Sequence, residues 1–327
     1  MRRREFIAVV AAIFPGARLL CPAHAQTSAI RRIGVVYQGG LYEASIEGLR
    51  AGLRAAGLEE GRHVALLLRN ARGDLAPAEA AARALERDEK VDLLVAIGTS
   101  TALAAKRATT EVPIVFAAGA DPVAAGLVES IATPGGRLTG FHFLTIDLTA
   151  KRLEILREIV PTLRRIVTFY DPRTPGAVSS IAALREAAGT LDIEVVAQQV
   201  ASPEELRDRL RTLSAAQAEA FFFVADFLVI NHAPLVIETA NALRLPTMAT
   251  QLGTVREGAL AGYGPDWREY GRRPARYVAC ILAGSLPRDL PVEAINQPAL
   301  AINLKTAKAI GFDIPPLLLA RADEVIE

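Results

Sequence analysis

Arg32-Ile33-Gly34-Val35-Val36-Tyr37 and Arg165-Ile166-Val167-Thr168-Phe169-Tyr170 decide the fold. Each is a short apolar run rich in β-branched residues, and each opens the same succession of strand-like runs and stretches of helical periodicity. After the first come a helix over Ala44 to Gly57, a strand over Val64 to Leu68 and a helix from about Pro77 to Glu89. A strand over Val91 to Ile97, a helix from about Thr101 to Ala108 and a strand over Val112 to Ala117 complete that series. After the second come helices over Ser179 to Gly189, Pro203 to Ala215 and Pro234 to Arg244, separated by strands over Ile193 to Gln198, Ala220 to Val224 and Leu245 to Ala249. Ile33 and Ile166, Arg54 and Arg185, Val91 and Ala218, and Val112 and Leu245 stand 127 to 133 positions apart. Alternating strands and helices build a parallel sheet covered on both faces, and their repetition predicts two such lobes.

The expected fold class is therefore α/β, with two doubly wound, Rossmann-like parallel sheets joined by a hinge. Residues 27–143 are expected to form lobe 1, with about 258–285 returning to it; residues 144–257 form lobe 2, with about 286–327 returning. In that tail a helix is expected over Tyr270 to Leu282, and a strand over Leu300 to Asn303 leading into a helix over Leu304 to Ile310.

The chain has 327 residues, 51% hydrophobic and 22% charged, enough to build two cores and too apolar for a disordered protein. Its start reads as a targeting segment. Arg2, Arg3 and Arg4 precede an apolar run from Phe6 to Phe14, and Ala23-His24-Ala25 offers small residues for cleavage, so residues 1–25 are expected to be a signal peptide. The Arg-Arg pair resembles a twin-arginine export signal, and Cys21 offers a lesser lipoprotein reading. Cleavage would remove Arg2, Arg3, Arg4, Arg18 and Glu5, taking the formal charge from +1 to −2. A near-neutral exported chain lacks the basic surplus that drives nucleic-acid or anionic-membrane binding. Cleavage would also remove Cys21, leaving Cys280 without an intramolecular disulfide partner. The expected location is the periplasm, and the expected state a monomer.

Catalytic chemistry is sparse. His63, His142 and His232 are not at metal-ligand spacing, and no nucleophile elbow or phosphate loop occurs. No catalytic residue, metal or cofactor is expected. His142 reads as a hinge histidine, and Trp267 and Tyr270 as helix packing. In doubly wound sheets ligands sit beyond the carboxyl ends of the strands, so a cleft between the lobes would be lined by the loops after Tyr37, Ile97, Ala117, Tyr170, Val224 and Ala249. Those loops, and the residues beside them, supply the candidate ligand-binding set: Gln38, Tyr42, Thr99, Ser100, Asp121, Tyr170, Asp171, Asp226, Phe227, Gln251 and Tyr263. Thr99 and Ser100 open a helix and suit a carboxylate. Asp226, unlike Asp121 and Asp171, has no following proline to make it a turn former and suits an amine or hydroxyl. Tyr42, Tyr170 and Phe227 suit a flat body.

The same segments carry a family likeness. Gly61-Arg62-His63-Val64, Arg69-Asn70-Ala71-Arg72-Gly73, Val112-Pro113-Ile114-Val115-Phe116 and Asp121-Pro122-Val123 are followed by Pro134-Gly135-Gly136-Arg137-Leu138-Thr139-Gly140. Lys151-Arg152-Leu153-Glu154, Asp289-Leu290-Pro291-Val292-Glu293 and Ile302-Asn303-Leu304-Lys305-Thr306-Ala307-Lys308 continue the series. Together these resemble the ABC-transporter substrate-binding protein family that includes the tryptophan- and tyrosine-binding proteins. The resemblance implies a type I periplasmic binding fold without catalysis, which captures a small molecule and delivers it to a permease in the inner membrane. It implies an aromatic amino acid or related aromatic carboxylate as ligand. A hydrolase or isomerase on the same fold, or a sensor reporting to a membrane receptor, is the alternative.

Overall fold

A computed structural model describes residues 29–72, 75–143, 146–295 and 297–327. The expected signal peptide and Cys21 lie outside the described residues, as does the Gly73-Asp74 turn. The first lobe runs β1 (Arg31–Tyr37), α1 (Glu43–Ala55), β2 (Val64–Asn70), α2 (Leu75–Arg87), β3 (Leu93–Ile97), α3 (Thr99–Ala108), β4 (Ile114–Ala118) and β5 (Leu138–His142). The chain then crosses to α4 (Thr149–Ile159), β6 (Arg165–Tyr170), α5 (Pro175–Gly189), β7 (Glu194–Gln199), α6 (Pro203–Thr212) and β8 (Ala220–Phe222). Two short helices, α7 (Phe227–Asn231) and α8 (Ala233–Ala242), precede β9 (Thr247–Ala249), α9 (Leu252–Arg256) and β10 (Ala261–Gly264). A second crossing leads to α10 (Trp267–Arg272), α11 (Pro274–Leu282) and β11 (Glu293–Ala294). A third leads to β12 (Ala299–Asn303), α12 (Leu304–Ile310), α13 (Pro316–Leu319) and β13 (Glu324–Ile326).

Two sheets result. The first has the order β11-β5-β4-β3-β1-β2 and the second β13-β12-β10-β9-β8-β6-β7. The five-strand orders β2-β1-β3-β4-β5 and β7-β6-β8-β9-β10 are the same, and both are parallel throughout. Alternation along β1 sends Ile33, Val35 and Tyr37 to a core shared with α1 and α11, while Val36 faces α2 and α3. In β6, Ile166 and Tyr170 face one core and Val167 and Phe169 the other. Each sheet is thus buried on both faces, as parallel strands joined by helical crossovers must be.

The tail departs from expectation. Ala261–Gly264 is a strand of the second sheet, parallel to β9 and antiparallel to β12, so the return to the first lobe begins at Trp267 and not near residue 258. Glu293–Ala294 still pairs with β5 in the first sheet, so the final passage to the second lobe comes after it and not near 286. The expected helix over Tyr270 to Leu282 starts earlier and is divided, because Pro274 cannot donate a backbone hydrogen bond within a helix. Among the described residues no helix is long and apolar enough to cross a membrane.

One contact of this tail positions the site. α10 lies against α1 so closely that a Cβ on Gly48 would strike the Arg268 carbonyl, and one on Gly271 the backbone of Ser45. Glycine at both places lets the helices approach to backbone contact, which seats Trp267 beside Tyr42 at the start of α1.

Candidate functional site

The carboxyl ends of the first sheet gather several of the expected polar groups. Gly98 joins β3 to α3; a Cβ there would lie 3.7 Å from the Gln38 side-chain carbonyl and 3.5 Å from Thr101 Oγ1. Thr99 Oγ1 accepts the Gly119 N–H at 3.0 Å, tying the loop after β4 to the start of α3, while Ser100 is exposed. Thr101 Oγ1 is buried and has no hydrogen-bond partner. Asp121 Oδ1 accepts the N–H groups of Val123 and Ala124 at 2.8 and 2.9 Å, the arrangement of a turn former. Those backbone bonds hold its carboxyl below the usual range. At the end of β5, His142 has a buried Nδ1 without a partner; burial lowers its pKa, against a smaller upward pull from Asp121.

The second sheet's loops are strapped together by Asp226. Its Oδ1 accepts the Val229 N–H at 2.9 Å and caps α7, while Oδ2 accepts the Asp171 N–H at 2.7 Å. The side chain is wholly buried, and burial pushes its pKa up. Sequence alone assigned this carboxylate to a ligand amine; in the structure both oxygens serve the backbone, joining the loop after β6 to that after β8. Asp171 receives Arg173, whose guanidinium donates to both carboxylate oxygens, and this pairing lowers the Asp171 pKa. Tyr170 and Tyr263 pack on the core of the second lobe. The Tyr170 hydroxyl accepts from Gln199 Nε2 at 3.1 Å, and the Tyr263 carbonyl accepts from buried Arg152 at 2.6 Å. Their surroundings differ from the expected cleft-facing role because alternation in β6 and β10 turns these rings to the sheet face covered by α4 and α5. Phe227 begins α7 and is half-buried.

A cavity of about 280 Å³ opens between the lobes. Gly40 and Ala44 line it from the first lobe, Asn231, Gln251 and Arg256 from the second, and Trp267 from the segment between β10 and α11. Of the sequence-derived candidates only Gln251 borders it. Tyr42 stands just behind, with its ring 4.8 Å from that of Trp267 in an edge arrangement; burial pushes its phenol up to about 12, so it remains a neutral donor. Trp267 also meets Tyr270 at 5.0 Å, and the Tyr270 hydroxyl donates to the Ala118 carbonyl at 2.6 Å. Tyr270 is thus packing, as expected, whereas Trp267 is a cavity wall as well.

Two of the residues lining this cavity each carry a buried polar atom without a hydrogen-bond partner. Gln251, 4% exposed, gives its Nε2 to Thr254 Oγ1 at 3.1 Å and leaves Oε1 buried without a partner. Trp267 Nε1 is likewise buried and unpartnered. Buried polar groups are nearly always hydrogen-bonded, and leaving one unmet costs about 1–3 kcal/mol. A second cavity, also about 280 Å³, lies among the crossings beside Phe143, Pro265 and Tyr270, but among the described residues none of its lining side chains has a buried atom without a partner. Among the described residues no group of three or more His, Cys, Asp or Glu side chains could hold a metal ion.

Asn231 and Trp267 were missed by sequence reasoning. Asn231 ends a five-residue helix too short to show periodicity. Trp267 had one available signal: it is the sole tryptophan of an aromatic-poor chain and follows the capping residue Asp266.

Comparison with known proteins agrees with this architecture. The family profile described as "ABC transporter substrate binding protein" matches residues 32–326. The tyrosine-binding protein of Clostridioides difficile is 29% identical over 267 residues, covering 81% of this chain and 76% of its own. A conserved domain protein from Vibrio cholerae has a crystal structure that superposes with a TM-score of 0.82 at 31% identity, covering 91% of this chain and 100% of that one. The ABC domain from Streptococcus pneumoniae, solved in complex with L-Trp, superposes with a TM-score of 0.80 at 23% identity over the same shares, and so shares the fold. The Clostridioides difficile relative is named for binding tyrosine, and the shared two-lobed α/β architecture is the type I periplasmic binding fold. The chain belongs to the ABC transporter substrate-binding protein family.

Proposed function

We propose that this protein is the periplasmic binding component of an ABC transporter, taking an aromatic amino acid or related aromatic carboxylate between its lobes and delivering it to a membrane permease. The observation that carries the reading is the inter-lobe cavity, lined by Trp267 and Gln251, each of which holds a buried polar atom without a partner. Its volume of about 280 Å³ suits one molecule of amino-acid size, near the lower bound of ordinary ligand pockets, and is small for a dinucleotide or oligosaccharide. A relative is named for tyrosine binding, and a protein of the same fold was solved with L-Trp. Ligand binding favours the closed arrangement only by the extra contacts that arrangement provides, and the permease reads the closed form.

A thermal-shift screen of the purified protein against amino acids, aromatic acids and branched acids tests this. A ligand at about 100 times its Kd adds about 2.7 kcal/mol and raises the Tm by several degrees. A rise confined to aromatic compounds is the expected result; a rise with branched acids alone would overturn the aromatic assignment.

A further inference from the structure

Of the charged side chains on α4, only Arg152 is buried, at 2% exposure. Burying a guanidinium is costly unless its donors are met, and here they reach main-chain carbonyls of the second lobe. Nε donates to the Tyr263 carbonyl at 2.6 Å and Nη2 to that of Thr250 at 3.4 Å. Burial lowers the Arg152 pKa to about 9, so the side chain keeps its charge at neutral pH. The parallel pairing of β9 with β10 stops at Ala249 and Gly262, and Thr250 and Tyr263 are the residues that follow. Their carbonyls lie past the last rung, where a buried acceptor needs a donor from elsewhere. Gly264 makes room for this arrangement: a Cβ there would overlap the Thr250 carbonyl oxygen and lie 3.4 Å from Arg152 Nη2.

The two carbonyls stand just ahead of much of the cavity wall. Gln251, Gly253, Arg256 and Glu257 follow Thr250 in α9 and its caps, and Asp266 and Trp267 follow Tyr263 through the crossing to α10. Arg152 itself does not line the cavity. We propose that Arg152 is a positioning residue for ligand binding: by holding the Thr250 and Tyr263 carbonyls together, it fixes where α9 and Trp267 stand relative to one another in the cavity wall. The inference rests on the binding role proposed above and adds a residue to it. A planar guanidinium offers five donors in a fixed fork and serves two carbonyls at once, whereas an ammonium is a point charge on a flexible stem. Stability alone is a poor account of the charge, since apolar side chains of similar volume often replace buried charged groups without loss of stability.

Arg152→Met, which keeps the length without the donors, and Arg152→Lys, which keeps the charge without the fork, test this in two measurements on the purified protein. Hydrogen exchange without ligand should quicken about tenfold at residues 250–257 and 263–268 in Arg152→Met, while β6 and β7 exchange as in the wild type. Titration calorimetry with tyrosine, tryptophan and phenylalanine should show binding about tenfold weaker in Arg152→Met and partly recovered in Arg152→Lys. Unchanged affinity in Arg152→Met would overturn the inference. Exchange quickened throughout the second lobe, or loss of the fold in both variants, would also overturn it, because Arg152 would then support the whole lobe. Loss of the fold in Arg152→Met alone leaves Arg152→Lys to decide, by the same localised quickening and a weaker affinity. If the wild type binds none of the three amino acids, the ligand assignment falls and exchange decides alone: quickening confined to the two segments sustains the positioning role, and its absence overturns it.

Discussion

Gly40 of the first lobe meets Asn231 of the second across the cleft, so closely that a methyl group on Gly40 would overlap Asn231 Oδ1. Gly40 also has φ +59°, in the left-handed region that glycine occupies without strain. The smallest residue therefore stands where the lobes touch, and its lack of a side chain sets how near they come.

Gly40→Ala should consequently hold the lobes apart. Ligand affinity is expected to fall about tenfold or more, alongside a loss of about 1 kcal/mol of stability from the strained backbone. Truncating Asn231 in the same chain should restore most of the affinity but none of the stability, a coupling that a double-mutant cycle by titration calorimetry measures. Independent, additive effects would mean that the contact plays no part in closure.

Because the chain has a single tryptophan and it borders the cavity, its fluorescence should report binding. A saturable change in emission is expected with tyrosine or phenylalanine, ligands that do not obscure the signal. Trp267→Leu should cost about 0.5–1.5 kcal/mol of binding through loss of the aromatic contact, read by calorimetry. Emission that stays constant while calorimetry shows binding would place the ligand elsewhere.

Asp226 is a structural carboxylate, and its truncation should show it. Asp226→Ala removes the α7 cap and the acceptor for the Asp171 N–H, leaving buried donors unmet. A loss of about 2–4 kcal/mol in unfolding free energy by urea titration is expected. Affinity measured where the variant remains folded should fall by less. A large affinity loss without a change in stability would restore the direct ligand role expected from sequence.

His142 gives the stability a pH dependence of definite sign. Burial lowers its pKa from about 6.5, so between that value and the folded-state value the unfolded chain binds more protons. Its contribution to stability is therefore full above about pH 6.5 and is lost as pH falls through that window toward the folded value. His142→Asn should flatten this part of a Tm-against-pH profile; an unchanged slope would show that other groups produce it.

The alternation of strands and helices was legible because its two periodicities are local. β1, β6 and β12 with its helix lie within a residue of expectation, since a β-branched run buried on both faces has little other reading. Ala261–Gly264 was not legible: two glycines hide the strand character, and its antiparallel partner, β12, lies over thirty residues further on. The break before Pro274 was overlooked because the apolar spacing continues across it. At the site, sequence placed Gln251 correctly beside a strand end. It could not tell that Asp226 spends both oxygens on backbone donors, or that Trp267 is seated beside Tyr42 by the glycine contact between α1 and α10. Such facts depend on which elements meet, and neighbours in sequence do not carry them.

The most direct test is isothermal titration of tyrosine, tryptophan and phenylalanine into the purified protein, with the compound recovered afterwards. Saturable binding of one molecule per chain, with a Kd well below about 1 mM and the ligand returned intact, is the expected result. Absence of saturable heat with all three would contradict an aromatic amino acid as the molecule held between the lobes.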